Sequence, residues 1–330
     1  MKTKILSASV FALIIFNFAF AAAAATTINA ANKSAYAANL GWIDWRGDTN
    51  SGAVIGQYVC SGYIYSANVG WIFLGNGTPA NQIQYQNNSV TDYGVNQDGL
   101  GNLTGYAYSA NVGWINLGSG TPANQIQYQN NSATDYGVNT DGLGDLRGYA
   151  YAANIGWLNF ENTGAPKVDL FTGNLSGSVW SANCGWISLS NATAFVQTDT
   201  IQKGALSTNG LPIAWLLQNF GTTNVNANAD ADGDGVSNGN EYLAGTDPLN
   251  AKSVLKITSF TRNAATANNS MNWSGVSTRF YAIQTNSVLA SGAWVDRAAF
   301  TVPGIISASW TDTTPTNNFY RIRAYRPLTP

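Results

Sequence analysis

Five near-copies of one octapeptide run along this chain: YAANLGWI (36–43), YSANVGWI (65–72), YSANVGWI (108–115), YAANIGWL (151–158) and WSANCGWI (180–187). The glycines before the tryptophans are Gly41, Gly70, Gly113, Gly156 and Gly185, so the units follow one another at 29, 43, 43 and 29 residues. A repeat of this size is one supersecondary unit that cannot bury its apolar face alone and must pack on its neighbours. Each unit reads as a β-hairpin. An alternating run such as GYAYS (105–109) precedes the motif, and WINLG (114–118) follows. Ala-Asn-x-Gly is the turn, since asparagine and glycine both tolerate positive φ. QDGLG (97–101) and TDGLG (140–144) place Asp-Gly between extended runs and predict a second hairpin in each long unit. QIQYQ (82–86 and 125–129) predicts one more strand, giving three to four short antiparallel strands per repeat.

The repeated tryptophans and tyrosines are expected to be core, packing one hairpin on the next. The sharper alternative makes the aromatics ligand-stacking platforms, with Tyr65, Tyr108, Tyr151 and Trp180 as the candidates. Asn116, Asn159 and Ser188 alternate with the rings, and Phe73 takes that place in the second unit.

Cys60 and Cys184 are the two cysteines. A disulfide between them would join nearly opposite ends of the array and needs a closed or compact arrangement. Closing so long a loop contributes roughly 4–5 kcal/mol on the chain-entropy model. Two unpaired thiols are the alternative. The expected fold is mainly β: a repeat-built antiparallel domain over 26–195, closed in a propeller-like or barrel-like way, with the unequal spacing against a regular propeller.

Outside the array, MKTKILSASVFALIIFNFAFAAAAA reads as a secretory leader over 1–25, with Lys2 and Lys4 before an apolar core and small residues after it. The mature chain is expected outside a bacterial cell or on its surface, with no membrane insertion after cleavage. Charged residues make up 10% and the net charge is −2, which gives no electrostatic footprint for nucleic acid. There is no histidine, so Ser-His-Asp and Cys-His catalysis are excluded.

A polar linker (196–210) leads to LPIAWLLQNFG (211–221), which has helical spacing, and then to ADADGDGVSNGNEYLAGTDP (229–248). Asp230, Asp232, Asp234, Gly235 and Glu241 fit D-x-D-x-D-G-x5-E. Calcium takes six to eight oxygens, and alternation points three carboxylates inward from one tight loop. The Val236 carbonyl, Asn238 and a bidentate Glu241 complete the expected set, with Asp247 as an additional ligand or a turn cap. Residues 211–250 form this helix-and-loop module. Six strand-like runs over 251–330 predict a β-sandwich.

The octapeptide region resembles the G-Y-A-W-S-x-N-x-G-W-I repeats of secreted bacterial proteins, over roughly residues 36–189. The calcium segment resembles dockerin-like and thrombospondin type 3-like modules, in which W-x4-FG precedes the loop and E-Y-x-x-G-T-D-P follows. A dockerin carries two such loops for cohesin binding, whereas this chain carries one. The last module is similar to fibronectin type III-like domains. These resemblances imply a secreted protein and are nearly mute about activity; the expected role, structural or adhesive and not enzymatic, rests on the copied scaffold. Its expected partner is a surface protein or, on the alternative reading, an extracellular glycan. As an enzyme, the chain would draw on Asp44, Asp48 and Glu161, which are not copied. Asp92/Asp135 and Asp98/Asp141 recur with the scaffold and read as turn chemistry.

Overall fold

The computed structural model describes residues 25–47, 50–98, 101–161, 163–289, 293–297, 307–313 and 319–328. The leader, apart from Ala25, and Asp48 lie outside the described residues.

The repeat domain is a closed barrel of ten antiparallel strands. Its five hairpins pair Ile28–Ala37 with Gly41–Asp44, Gly62–Ser66 with Gly70–Gly75, Asn102–Ser109 with Gly113–Asn116, Leu146–Ala152 with Gly156–Asn159, and Ser178–Ser181 with Gly185–Ser188. The ring shuts where the fifth hairpin meets the first, with Tyr36 opposite Ser188 and Ala37 opposite Ile187. Closure removes the open sheet edges that a row of hairpins would expose.

Side chains alternate along every strand, so each hairpin sends one set inward. Ala37, Ser66, Ser109, Ala152 and Ser181 form one inward layer, all buried. Ile43, Ile72, Ile115, Leu158 and Ile187 form another, and Ala35, Ile64, Ala107, Ala150 and Val179 a third. Where hairpins meet, a small residue faces a branched one, as Ser66 does Ile43, Ala152 Ile115, Ser181 Leu158 and Ala37 Ile187, which suits a narrow barrel.

The motif's turn shows why it recurs. Each hairpin loop closes on its glycine, as in the Ala37–Gly41 pair, and the five glycines hold φ between 70° and 79°. Only the glycine adopts positive φ in these turns; the asparagine does not. Its amide is used instead to link neighbouring hairpins. Asn68 Nδ2 donates to the Asn39 carbonyl, Asn111 to Val69, Asn154 to Asn111, Asn183 to Ile155, and Asn39 to Asn183, at 2.8–3.2 Å. These five bonds run once around the barrel end. The variable residue before the glycine plugs that end: Leu40, Val112 and Cys184 are buried there.

The two Asp-Gly hairpins form as expected, pairing Gln97 with Leu103 and Thr140 with Leu146. QIQYQ does not form a strand. Gln82, Asn87, Gln125 and Asn130 take positive φ, and each segment folds as a loop that inserts one tyrosine, Tyr85 or Tyr128, 2% exposed. Asp92 and Asp135 organise those loops, each carboxylate accepting two backbone N–H groups. The segment read as a linker begins with a strand, Val196–Thr198, paired to the first barrel strand. Cys60 and Cys184 are both free thiols. The barrel is therefore closed by backbone pairing and not by the disulfide.

Helix α1 (Ile213–Phe220) and helix α2 (Asn238–Ala244) flank the acidic loop. Trp215 and Leu216 pack on Tyr242 of α2 and on Tyr58 of the barrel domain. The C-terminal module is a sandwich of two three-stranded sheets closed over Met271, Trp273, Tyr281 and Ile283. In its last strand Tyr320 and Ile322 face inward, while Phe319 stands on the exposed side with Arg321 and Arg323. Arg279 ties the sandwich to α2, donating to the carbonyls of Tyr242 and Leu243 at 2.9 and 2.8 Å, where a cation complements the helix C-terminus.

Candidate functional site

Inward-facing Ile43 and its counterparts force the preceding tryptophan outward, because the strand period is two. The structure thus overturns the expectation of core tryptophans. Ten aromatic side chains encircle the barrel in five pairs: Tyr36/Trp42, Tyr65/Trp71, Tyr108/Trp114, Tyr151/Trp157 and Trp180/Trp186, each 37–50% exposed. Partners stand directly opposite on adjacent strands. Their ring centroids lie 4.8–5.3 Å apart with planes at 54–63°. The packing is edge-to-face or tilted, so each pair presents one open ring face beside another ring's edge.

The two long units elaborate this belt. Their loops send Tyr93 against Trp114, with centroids 4.7 Å apart, and Tyr136 against Trp157, 4.9 Å apart. Trp114 also meets Tyr106 and Tyr108. Trp42 meets Tyr36 alone among the described ring contacts. Since each such contact is worth about 0.5–1.5 kcal/mol beyond buried area, Trp114→Ala is expected to destabilise the protein by about 1–3 kcal/mol more than Trp42→Ala. Urea unfolding of the two variants measures the difference, and equal losses would refute the contribution of the loop tyrosines.

The belt is hollowed next to Trp180. Between the fourth and fifth hairpins a groove of about 610 Å³ is lined by Tyr136, Tyr149, Trp157, Asn159 and Trp180 among others. Beyond Trp180, a second hollow of about 230 Å³ is lined by Asn159, Glu161, Thr163, Gly164, Trp180 and Trp186. Both share Asn159 and Trp180, so the two hollows adjoin at the Trp180 ring and together form a cleft there.

The acidic loop forms a second candidate site. One oxygen each of Asp230, Asp232 and Asp234 lies within 4.8 Å of the others. Gly233 and Gly235 N–H groups bond Asp230, which holds its carboxyl below the usual range. Asp234 N–H bonds Asp232 Oδ1 and Val236 N–H bonds Asp234 Oδ1. The remaining oxygens, Asp232 Oδ2 and Asp234 Oδ2, are buried with no hydrogen-bond partner, as are Asn238 Oδ1 and Glu241 Oε2. Glu241 is fully buried at the start of α2, and Thr246 Oγ1 donates to its other oxygen at 3.3 Å. Burial, then Asp232 and Asp234, push the Glu241 carboxyl up to about 7. Four orphaned buried oxygens beside three clustered carboxylates are costly alone, and are the donor set of a hard cation. Asp247 is not part of the clustered group; its Oδ1 accepts the Leu249 N–H as a turn cap.

Of the residues singled out from sequence, Tyr65, Tyr108, Tyr151 and Trp180 all lie on the belt, each beside its tryptophan. Asp44 is paired with Lys33 at 2.8 Å. Glu161 lies at the cleft. Tyr93, Tyr136 and the tryptophans themselves were missed as surface groups. The repeated Asp-Tyr-Gly (92–94 and 135–137) marked those tyrosines in the sequence, but not the face they would occupy.

No protein-family model, curated protein or solved structure matches this chain.

Proposed function

We propose that this is a secreted or cell-surface, non-enzymatic, calcium-binding protein with an adhesive role, and that its barrel binds glycan through the aromatic belt. The observation that carries this reading is the ring of ten solvent-facing aromatics in five repeat-equivalent pairs. Sugar rings present C–H faces that lie flat on aromatic faces, and hydroxyls that bond nearby amides and carboxylates. Polar Asn116, Asn159 and Ser188 stand next to the rings on the outer face. Large apolar groups kept half exposed at equivalent positions form a surface that needs a partner.

Other occupants fit less well. Barrel strands of 4–10 residues around an apolar interior do not supply the 9–11 residues per strand needed to cross a bilayer. Glycoside hydrolysis needs two facing carboxylates, and Glu161 is the one carboxylate lining the cleft among the described residues. The orphaned oxygens of Asp232, Asp234, Asn238 and Glu241 support calcium as the loop's ligand.

The test is tryptophan fluorescence of the intact protein, titrated with a panel of soluble polysaccharides in calcium. A saturable change with at least one polysaccharide is expected. Silence across the panel would leave the belt without a sugar ligand and turn the adhesive reading towards a protein partner.

A further inference from the structure

The five aromatic pairs are copies, but they are not equivalent. Between the third and fourth hairpins, Asn116 Nδ2 donates to Tyr136 Oη at 2.8 Å, and that tyrosine lies edge-on to Trp157. Between the second and third, Phe73 and Tyr93 pack together at 5.5 Å, and Tyr93 covers Trp114. In both places a tyrosine from the 43-residue unit occupies the space between neighbouring pairs. The 29-residue unit joining the fourth and fifth hairpins brings no such tyrosine. There the counterpart of Asn116, Asn159, keeps the turn bond by which Asn116 Oδ1 accepts the Gly118 N–H, and differs at its amide nitrogen. Its Oδ1 accepts the Glu161 N–H at 2.7 Å, while Nδ2 bonds no described residue. The loop carrying Glu161 is anchored beside the tryptophans: Ser178 N–H donates to the Gly164 carbonyl at 2.8 Å, and a Cβ on Gly164 would stand 3.0 Å from the Trp186 ring. The fifth hairpin also replaces tyrosine by tryptophan at position 180, and Trp180 borders both parts of the cleft.

Resting on the glycan reading above, we propose that the barrel has one principal saccharide site, the cleft between the fourth and fifth hairpins, and that it takes an uncharged chain of pyranose units. Trp157 and Trp186 supply outer stacking faces and Trp180 the central one. Asn159 Nδ2 donates to a ring or hydroxyl oxygen, and the Glu161 carboxylate accepts from hydroxyls. The charge of the lining selects against acidic chains: it holds a carboxylate and no cationic side chain. A cleft of this size suits a short stretch of chain, one or two sugars on each side of Trp180.

The experiment is isothermal titration of the full chain, in calcium, with hexaoses of β-glucose, β-xylose, β-mannose and N-acetylglucosamine, and with an oligogalacturonate as the acidic counterpart. One neutral hexaose is expected to bind with a stoichiometry near one, and the oligogalacturonate at least tenfold more weakly. Trp180→Ala should weaken binding at least tenfold, Glu161→Gln about five- to tenfold, and Trp42→Ala in the first pair less than threefold. Trp180→Tyr restores the residue of the other four repeats, preserves the paired ring and so the fold, and should still weaken binding. A stoichiometry near five, or equal losses for Trp42→Ala and Trp180→Ala, would overturn the single site while leaving glycan binding by the belt intact. No heat with any neutral hexaose, together with no fluorescence change with polysaccharides, would overturn both.

Discussion

Calcium at about a hundredfold over its dissociation constant is expected to stabilise the cation-free protein by about 2.7 kcal/mol. Extracellular loops of this kind bind at about 10⁻⁴–10⁻³ M, so that excess takes roughly 10–100 mM calcium, and about 1 mM gives roughly 0.4–1.4 kcal/mol. The gain comes from supplying a partner to Asp232 Oδ2, Asp234 Oδ2, Asn238 Oδ1 and Glu241 Oε2 at once. Asp232→Ala and Asp234→Ala should each abolish it. Glu241→Gln should abolish it too, with a further signature in EDTA. The folded carboxyl is pushed up to about 7, above its unfolded value, by burial and by the two aspartates. Its favourable contribution is present at low pH and is lost as pH rises through 7. Without calcium, the wild type should therefore lose stability relative to Glu241→Gln between about pH 5 and pH 8, as the buried charge forms. Thermal unfolding with calcium or EDTA across that range measures both effects. A melting temperature indifferent to EDTA and to all three substitutions would refute the cation site. The consequence extends past the loop, because α2 carries Glu241 at its start and meets Arg279 of the sandwich at its end. A filled loop is therefore expected to fix the helix that joins barrel to sandwich.

Gly137→Ala is expected to cost about 3 kcal/mol by overpacking. A Cβ at Gly137 would overlap the ring of Tyr128, and one at Gly118 would stand 2.5 Å from its hydroxyl oxygen. The ring is sealed between these glycines, and its hydroxyl donates to the Gly120 carbonyl. Gly94→Ala should behave alike at Tyr85, since the second and third repeats share the arrangement. Gly120→Ala is the comparison: it meets nothing within 4 Å, and its φ of 122° leaves a backbone strain of about 1–3 kcal/mol without any ring overlap. Urea midpoints at constant slope give the three values. If Gly137→Ala and Gly94→Ala each cost less than about 1 kcal/mol, Tyr128 and Tyr85 are not confined as described.

Much of the architecture was readable before any coordinates. The octapeptide spacing announced five hairpins, Asp-Gly announced two more, and the D-x-D-x-D-G-x5-E pattern marked the loop that gathers three carboxylates. These are local signals: turn chemistry and side-chain alternation act within a few residues. QIQYQ was misread for the same reason. Its alternation looks like a strand, but Asn81 and Asn124 fold the chain into turns by accepting backbone N–H groups two and three residues on, and burial of one tyrosine fixes the loop. The cysteines pointed to closure for the wrong reason. Cys184 serves as an apolar plug at the barrel end, and pairing of the first strand with the last shuts the ring.

The sequence by itself determined the repeat unit, because hairpin turns, strand period and cation-ligand spacing are set by neighbours along the chain. Only the tertiary structure decided which face of each hairpin turned inward. An alternating strand has two faces, and alanine, serine and isoleucine line a barrel this narrow where indole does not fit. That choice put ten aromatic rings on the surface. The differing loop lengths then covered the belt between three hairpins and left Trp180, Asn159 and Glu161 facing one open cleft.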